Sequence, residues 1–309
     1  MALTLVEAAK LHSGDVVRSA VIEVYARSSD ILRVLPFDNI PGNALRYNQE
    51  QTLPGIGFRG VNEGYTEATG IINPVTESLV IAGGDLDVDK FIVRTMGVDQ
   101  RSTQEVMKIK SLAHRWTKTF LKGDTASAVK EFDGLQVRLV GNQLINAGST
   151  SGGDALSLAK LDELIDAVND PSYLIMNKTM RRRLSAAARS SSVGGYITYE
   201  LDEFGRRVTK YNDLDILIAD EDETGTQILP FTEANPGGGA AASTSIYCIS
   251  VGEQKLSGIQ NDTIEAEDLG ELDTKPCYRT RVEWYNGITV YHPKAAARLN
   301  GIKNAAVSA

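Results

Sequence analysis

Between Arg101 and Gly123, the apolar residues Val106, Ile109, Ala113, Trp116 and Phe120 recur at spacings of 3, 4, 3 and 4. That is the period of an amphipathic helix, and Gly123 ends it. At ~1.5 Å per residue the helix is roughly 35 Å long. Just before it, Asp85-Leu86-Asp87-Val88-Asp89 alternates strictly, which predicts a strand with Leu86 and Val88 on one face and aspartates on the other. Further upstream, Asn43 to Gln49 and Glu77 to Ala82 read as two strands around a segment rich in glycine: Gly55, Gly57, Gly60, Gly64 and Gly70. About 27 residues is far more than a hairpin turn needs, and so long a loop within a compact domain is normally functional. It is expected to reach outward.

The N-terminal stretch predicts two short helices. Thr4-Leu5-Val6-Glu7 has the capping-box pattern, and Asp15 caps a second helix whose stripe of Val17, Val21 and Val24 ends near Ser28. Downstream of the long helix, Phe132-Asp133-Gly134-Leu135 predicts a turn into a strand, and Gly148 to Gly153 a hinge between subdomains. Ser157 is expected to cap a helix with Leu158, Leu161, Ile165 and Val168 on one side; Tyr173 to Met176 is a short buried strand. Asn177 caps the next helix, with Met180, Leu184 and Ala188 inward and Arg181, Arg182, Arg183 and Arg189 around the outside. Strands are expected at Tyr196 to Glu200, Arg207 to Tyr211, Asp215 to Ala219 and Thr244 to Val251. The acidic run Asp220 to Glu223 and the glycine-rich Asn235 to Ser243 are expected to be exposed, mobile loops. Asn286-Gly287, between Tyr278 to Tyr285 and Ile288 to Tyr291, has the composition of a type I′ hairpin turn, and a short helix, Lys294 to Leu299, closes the chain.

Composition narrows the function classes. At 309 residues the chain is far too long for a small disulfide-stapled scaffold, and its net charge of −8 argues against a globally basic nucleic-acid binder, leaving local basic patches open. Cys248 and Cys277 lack CxxC spacing and read as buried thiols. The chain lacks an apolar run of ~18 residues, and its first residues lack a basic, then apolar, leader, so it is expected to stay in the cytoplasm that makes it.

Candidate chemistry is sparse. Gly55-Ile56-Gly57-Phe58-Arg59-Gly60 matches GxGxxG, but Pro54 precedes it and Val61 to Gly64 cannot open the helix whose N-terminus would hold a pyrophosphate. Gly148 to Gly153 lacks the Lys-Ser/Thr of a P-loop. Asp85, Asp87 and Asp89 resemble the start of a calcium loop, yet Lys90 stands where its turn needs glycine and Met96 where it needs a bidentate glutamate. His12, His114 and His292 are isolated, and Ser157-Leu158-Ala159-Lys160 is accounted for by Ser157 as a helix start. No catalytic, cofactor or metal residues are assigned. The long helix is lopsided in charge, with Arg101, Lys108, Lys110, Arg115, Lys118 and Lys122 against Glu105 alone. It presents either a solvated face or one turned to a polyanion.

The order of these segments, with Phe132 to Leu135, Tyr173 to Asn177, Ile246 to Glu253, and Trp284 to Ile288 running into Tyr291 to Ala295, resembles the major capsid proteins of tailed phages. The resemblance implies an α+β, Hong Kong 97-like fold. By it, residues 1–40 are an N-terminal arm, 41–83 an extended β-hairpin loop, 84–149 a peripheral domain with its spine helix at 101–123, 150–272 an axial domain, and 273–309 the return to the peripheral domain. It implies a non-enzymatic subunit that self-assembles as hexamers and pentamers into an icosahedral shell around double-stranded DNA. Its partners are then a portal and possibly separate scaffolding and cement proteins, with no membrane, and its place is the virion, assembled in the host cytoplasm. On that reading Arg59 and Glu63 at the loop tip touch a neighbouring subunit, and Lys108, Arg115 and Lys118 face packaged DNA. An encapsulin-like compartment of the same fold, or an α/β enzyme with a site at Gly148 to Gly153, are the alternatives.

Overall fold

The computed structural model describes residues 3–4, 29–96, 99–189, 197–201 and 207–308. It is an α+β molecule built on two sheets and a long helix. One sheet runs in the order β1 (Leu3–Thr4), β2 (Pro36–Asn39), β12 (Leu256–Gln260), β14 (Cys277–Val290) and β13 (Glu265–Glu271), with β5 (Val80–Asp89) also paired along β14. The other, of seven strands, runs β6 (Leu144–Asn146), β15 (Ala296–Lys303), β11 (Ser243–Ile249), β7 (Tyr173–Met176), β10 (Leu214–Ile218), β9 (Arg207–Tyr211) and β8 (Ile197–Leu201). Strands β3 (Ala44–Thr52) and β4 (Ile71–Ser78) pair only with each other in the sheet assignment and form a separate ribbon. The helices are α1 (Asp30–Val34), α2 (Lys90–Met96), the long α3 (Asp99–Lys122), α4 (Leu135–Arg138), α5 (Leu158–Asp166) and α6 (Lys178–Ala187).

The period-3.6 stripe of α3 does what its spacing predicts. Ile109, Ala113, Trp116 and Phe120 are all buried, against Phe37, Val282 and Trp284 of the first sheet. Trp116 stacks on Phe120 at 5.2 Å and lies 6.0 Å from Trp284 and 5.7 Å from Phe37. The strict alternation of β5 is also realised, with Val88 buried, Leu86 half-buried, and Asp85 and Asp87 exposed. The seven-stranded sheet is covered on both faces. Ile175, Leu217, Tyr247 and Ile249 face the core shared with α3, whereas Leu174, Met176, Ile246 and Cys248 face a second core with α5 and α6. Helices α5 and α6 begin just after Ser157 and Asn177; Asn177 caps as expected, its Oδ1 accepting from the Met180 amide at 2.7 Å, but the cap expected of Ser157 is not made by its side chain.

Four expectations are corrected by tertiary context. Asn286-Gly287 is not a turn: β14 runs straight through it, Asn286 pairing with Gln260 on one side and Val80 on the other. The glycine is needed for close approach, because a Cβ there would lie 3.1 Å from the Ile259 side chain. Lys294 to Leu299 is a single 3₁₀ turn, Pro293–Ala295, followed by strand β15; its helix-favouring alanines are overruled because Ala296, Ala297 and Leu299 are wholly buried against β11. After Gly134 comes the short helix α4, not a strand; Arg138 Nε folds back onto the Asp133 carbonyl at 2.6 Å. Finally, the acidic run is not a free loop, since Asp222 is buried.

Gly148 to Gly153 packs closely against the 235–239 loop. A Cβ on Gly237 would lie 2.2 Å from the Ser149 carbonyl, while the tip at Gly238 and Gly239 is exposed. The chain also crosses between sheets inside both C-terminal segments: β12 and β13, before residue 272, belong to the first sheet, and β15, after it, to the second. The two N-terminal helices expected between Thr4 and Ser28 lie outside the described residues, apart from Thr4, which pairs with Pro36 in β1.

Trp116 Nε1 donates to the buried Asn286 Oδ1 at 3.1 Å. Asn286→Ala strands that indole N–H, and we expect about 1–3 kcal/mol lower unfolding free energy in a urea titration, with secondary structure intact.

Candidate functional site

The β3/β4 ribbon leaves the body at Gly42 and returns at Leu79. Its base is fastened by polar contacts: Asn261 Nδ2 donates to the Gly42 carbonyl at 3.0 Å, and Tyr47 Oη and Gln49 Nε2 both donate to the Val290 carbonyl, at 3.1 and 3.2 Å. The Tyr47 ring lies 4.8 Å from that of Tyr291. Burial first, and then the charge of Glu77, push the Tyr47 hydroxyl up to about 12, so it remains a donor at all ordinary pH. Arg138 of α4 grips Glu77 of β4 through both terminal guanidinium nitrogens, Nη1 and Nη2, in a two-bond fork that fixes the ribbon's direction.

Beyond this base the loop makes few contacts with the body. Residues 52–72 are exposed throughout, and among them are Leu53, Ile56, Phe58, Val61, Tyr65, Ile71 and Ile72. Phe58 is 105% exposed and Ile56 93%, values of side chains with nothing against them. Isolated exposed apolar residues are ordinary, but this many on one projecting loop form a patch larger than scattered single residues would. The two charged residues singled out at the tip, Arg59 and Glu63, shape it: Glu63 Oε2 accepts from the Gly60 amide at 2.8 Å, Arg59 donates to the Glu63 carbonyl at 3.3 Å, and the Arg59 guanidinium lies 5.1 Å from the centre of the Tyr65 ring. The GxGxxG match falls in this exposed loop and opens no helix.

The cations of α3 have a different setting. Arg115 bridges Glu131 and Glu223, Lys118 reaches Asp222 at 2.8 Å, and Lys122 reaches Glu233 at 2.9 Å. Lys108 lies against β5, its amine 2.8 Å from where a Cβ on Gly84 would be. One side of the helix is thereby clasped to the segment 222–233. Burial alone would raise the Asp222 carboxyl, but bonds from Lys118, the Thr224 hydroxyl and the 224 and 226 amides outweigh it and hold the group well below the usual carboxylate range. Glu233 is buried too, and Lys122, Arg298 and Ser245 together keep it ionised.

The calcium-like aspartates are spoken for: Asp85 and Asp87 are held below their ordinary range by bonds from Arg281 and Arg279 on the adjacent strand. Among the described residues no group of three or more His, Cys, Asp or Glu side chains is placed to hold a metal ion, and no helix is long and apolar enough to cross a membrane. Cys248 is buried, its thiol pushed up to about 12, and Cys277 is half-buried. His292 accepts from the Lys294 amide, a structural role.

No family model matches the chain, and no curated protein matches it. Solved structures do. The SrpI encapsulin of Synechococcus elongatus PCC 7942, in a holo-encapsulin complex, is 16% identical, with a TM-score of 0.63 over 90% of this chain and 89% of that one. A subunit from the capsid of an empty GTA particle is 15% identical, with a TM-score of 0.61 over 89% and 90%. A chain of Microbacterium phage Oxtober96 is 11% identical, with a TM-score of 0.62 over 89% and 90%. The fold is thus the Hong Kong 97-like fold of capsid and encapsulin shells, as the order of segments implied.

Since Asp222 is depressed in the folded state, its contribution is complete above the usual carboxylate range and is lost only as pH falls below it, through the folded value. Asp222→Asn is expected to cost about 2 kcal/mol at pH 7. In urea titrations at a series of pH values, the gap to the unmodified chain should narrow toward strong acid; a gap that does not vary with pH refutes the assignment.

Proposed function

We propose that this chain is the subunit of a closed icosahedral shell, built as hexamers and pentamers by self-association, and that the shell encloses double-stranded DNA as a tailed-phage major capsid protein does. The observation that carries the reading is the extended loop. It is fastened rigidly at its base and carries a run of uncovered apolar side chains along its length, which in a shell are buried on a neighbouring copy. Arg59 and Glu63 hold the tip in shape and supply charge at its edge for that contact. A shell subunit requires wide surfaces instead of a reactive cluster, in keeping with the side chains described. Assembly would take place in the host cytoplasm, with a portal and possibly separate scaffolding and cement proteins as partners.

A second reading, a protein compartment with a protein cargo, is favoured by the likeness to the SrpI encapsulin. It differs in what the interior holds. The enzyme reading requires a ligand at Gly148 to Gly153, where Gly148 and Gly153 are closely packed, a Cβ on Gly148 lying 2.1 Å from the Asp154 carboxylate, while Gly152 faces open space.

Negative-stain microscopy of the chain expressed alone, and with a scaffold protein if needed, should show shells or rings. Copurifying DNA supports the capsid, a copurifying folded protein the compartment, and a monomer under both conditions sinks the shell. A second variant locates the contact. Ile56→Ser with Phe58→Ser should leave the melting temperature within about 2 °C, because neither side chain is buried in the subunit, yet should abolish assembly.

A further inference from the structure

Four cations of α3, Arg101, Arg115, Lys118 and Lys122, are matched by carboxylates of the same chain; the arginines of α6 and its C-terminal end are not. From Lys178 to Arg189 the chain carries five basic residues and no Asp or Glu. Lys178 pairs with Asp220, but among the described residues Arg181, Arg182, Arg183 and Arg189 meet no carboxylate within ion-pair distance. Arg183 donates to the Asn304 side chain and Arg189 to the Ser185 carbonyl, both neutral. Met180 and Leu184 anchor the helix in the second core, which turns Arg182 and, just past the helix end, Arg189 outward as exposed residues about two turns apart. Arg181 and Arg183 flank them, half-buried.

This arrangement works against the helix. Lys178 repels Arg181 and Arg182, three and four residues on, and cations in the first turn face the positive end of the helix dipole. In a chain of net charge −8, four arginines on and just past one helix, none with a carboxylate partner among the described residues, constitute a local positive field that an external anion would relieve. The acidic strand of a second copy is a poor candidate, because Lys90 already takes Glu271 and Arg101 takes Asp268 of β13 within the chain. Guanidinium groups instead suit phosphate, which they grip in a planar fork.

We infer that the arginine face of α6 is a sequence-independent binding surface for a phosphodiester polyanion. It lies on the opposite face of the seven-stranded sheet from α3, whose Lys108, Arg115 and Lys118 the family resemblance implied as DNA-facing. Its ability to bind does not depend on the shell reading; only the side of a shell on which nucleic acid sits does.

The test is fluorescence anisotropy with a short labelled DNA duplex, across a salt series from 50 to 200 mM in roughly equal steps. The full chain is used in the Ile56→Ser, Phe58→Ser background, which keeps both faces open. With Arg181, Arg182 and Arg189 changed to Ala, affinity at the lowest salt should fall about tenfold or more. The slope of log affinity against log salt should become shallower by roughly 0.9 for each phosphate that is no longer neutralised. Changing the same three to Lys should keep most of the slope, and changing Lys108, Arg115 and Lys118 to Ala should leave it unaltered. An unaltered slope in the Arg181, Arg182, Arg189 variant overturns the inference, as does failure of the parent chain to bind duplex at low salt. Altered sedimentation of the triple-alanine chain at unchanged duplex affinity also overturns it, assigning the face to contact between copies. Shell formation, judged separately by microscopy, bears on the proposed function alone.

Discussion

The docking of α3 on the first sheet through Trp116 is the contact on which the rest of the molecule depends. One indole packs against Phe120, Phe37, Phe132 and Trp284, and its N–H is satisfied by the buried Asn286. Trp284 repeats the arrangement, donating to Gln260, which in turn donates to Asn39. Helix α3, β14, β12 and β2 are thereby joined through aromatic packing and a chain of paired amides that runs from the buried Asn286 and Gln260 out to Asn39 at the surface. Polar groups buried in this way must be matched completely, so they select one register among the strands as well as stabilise it.

From that centre the molecule divides its charges by purpose. Next to α3, acids of the segment 222–233 take up Arg115, Lys118 and Lys122 and tie the helix to the second sheet. On the outer face of β5 and β14, Asp85 and Asp87 pair with Arg281 and Arg279 and keep that ribbon straight. At the ribbon of β3 and β4, Arg138 and Glu77 hold the base while the tip is left apolar and uncovered. Internal ion pairs thus brace the fold, while the apolar side chains of the loop tip and the arginines of α6 are left without an apolar cover or a carboxylate partner among the described residues.

Elements whose burial follows their own spacing are legible in the sequence. A five-residue apolar stripe is enough for α3, strict alternation for β5, and Ser157 and Asn177 mark the starts of α5 and α6. The reach of the ribbon of β3 and β4 is visible as well, because the length and glycines between its strands are incompatible with a tight hairpin, although its return strand ends at Ser78 and Val80 to Ala82 belong to β5. Its charged residues Arg59 and Glu63 draw attention in the sequence, whereas the individual apolar residues of the tip do not. Ile56, Phe58 and Val61 follow neither a period of 2 nor one of 3.6, and that absence of a buried-face pattern in an apolar stretch is the available signal.

What the sequence by itself determined, then, was each element whose burial is dictated by its own spacing, together with the order of segments that implied the fold. Tertiary structure alone decided Asn286-Gly287, where a turn-forming pair was held straight by strands on both sides, and Ala296 to Leu299, where a helix-forming run was drawn into a buried sheet. It also decided which cations are free. A charge on a helix announces itself in sequence, but whether a carboxylate more than 100 residues away answers it, as Asp222 answers Lys118, depends on the folded path of the chain. Local propensities amount to a few tenths of a kcal/mol per residue, whereas burial of a strand or pairing of an ion is a long-range gain several times larger, and it prevails wherever the two disagree.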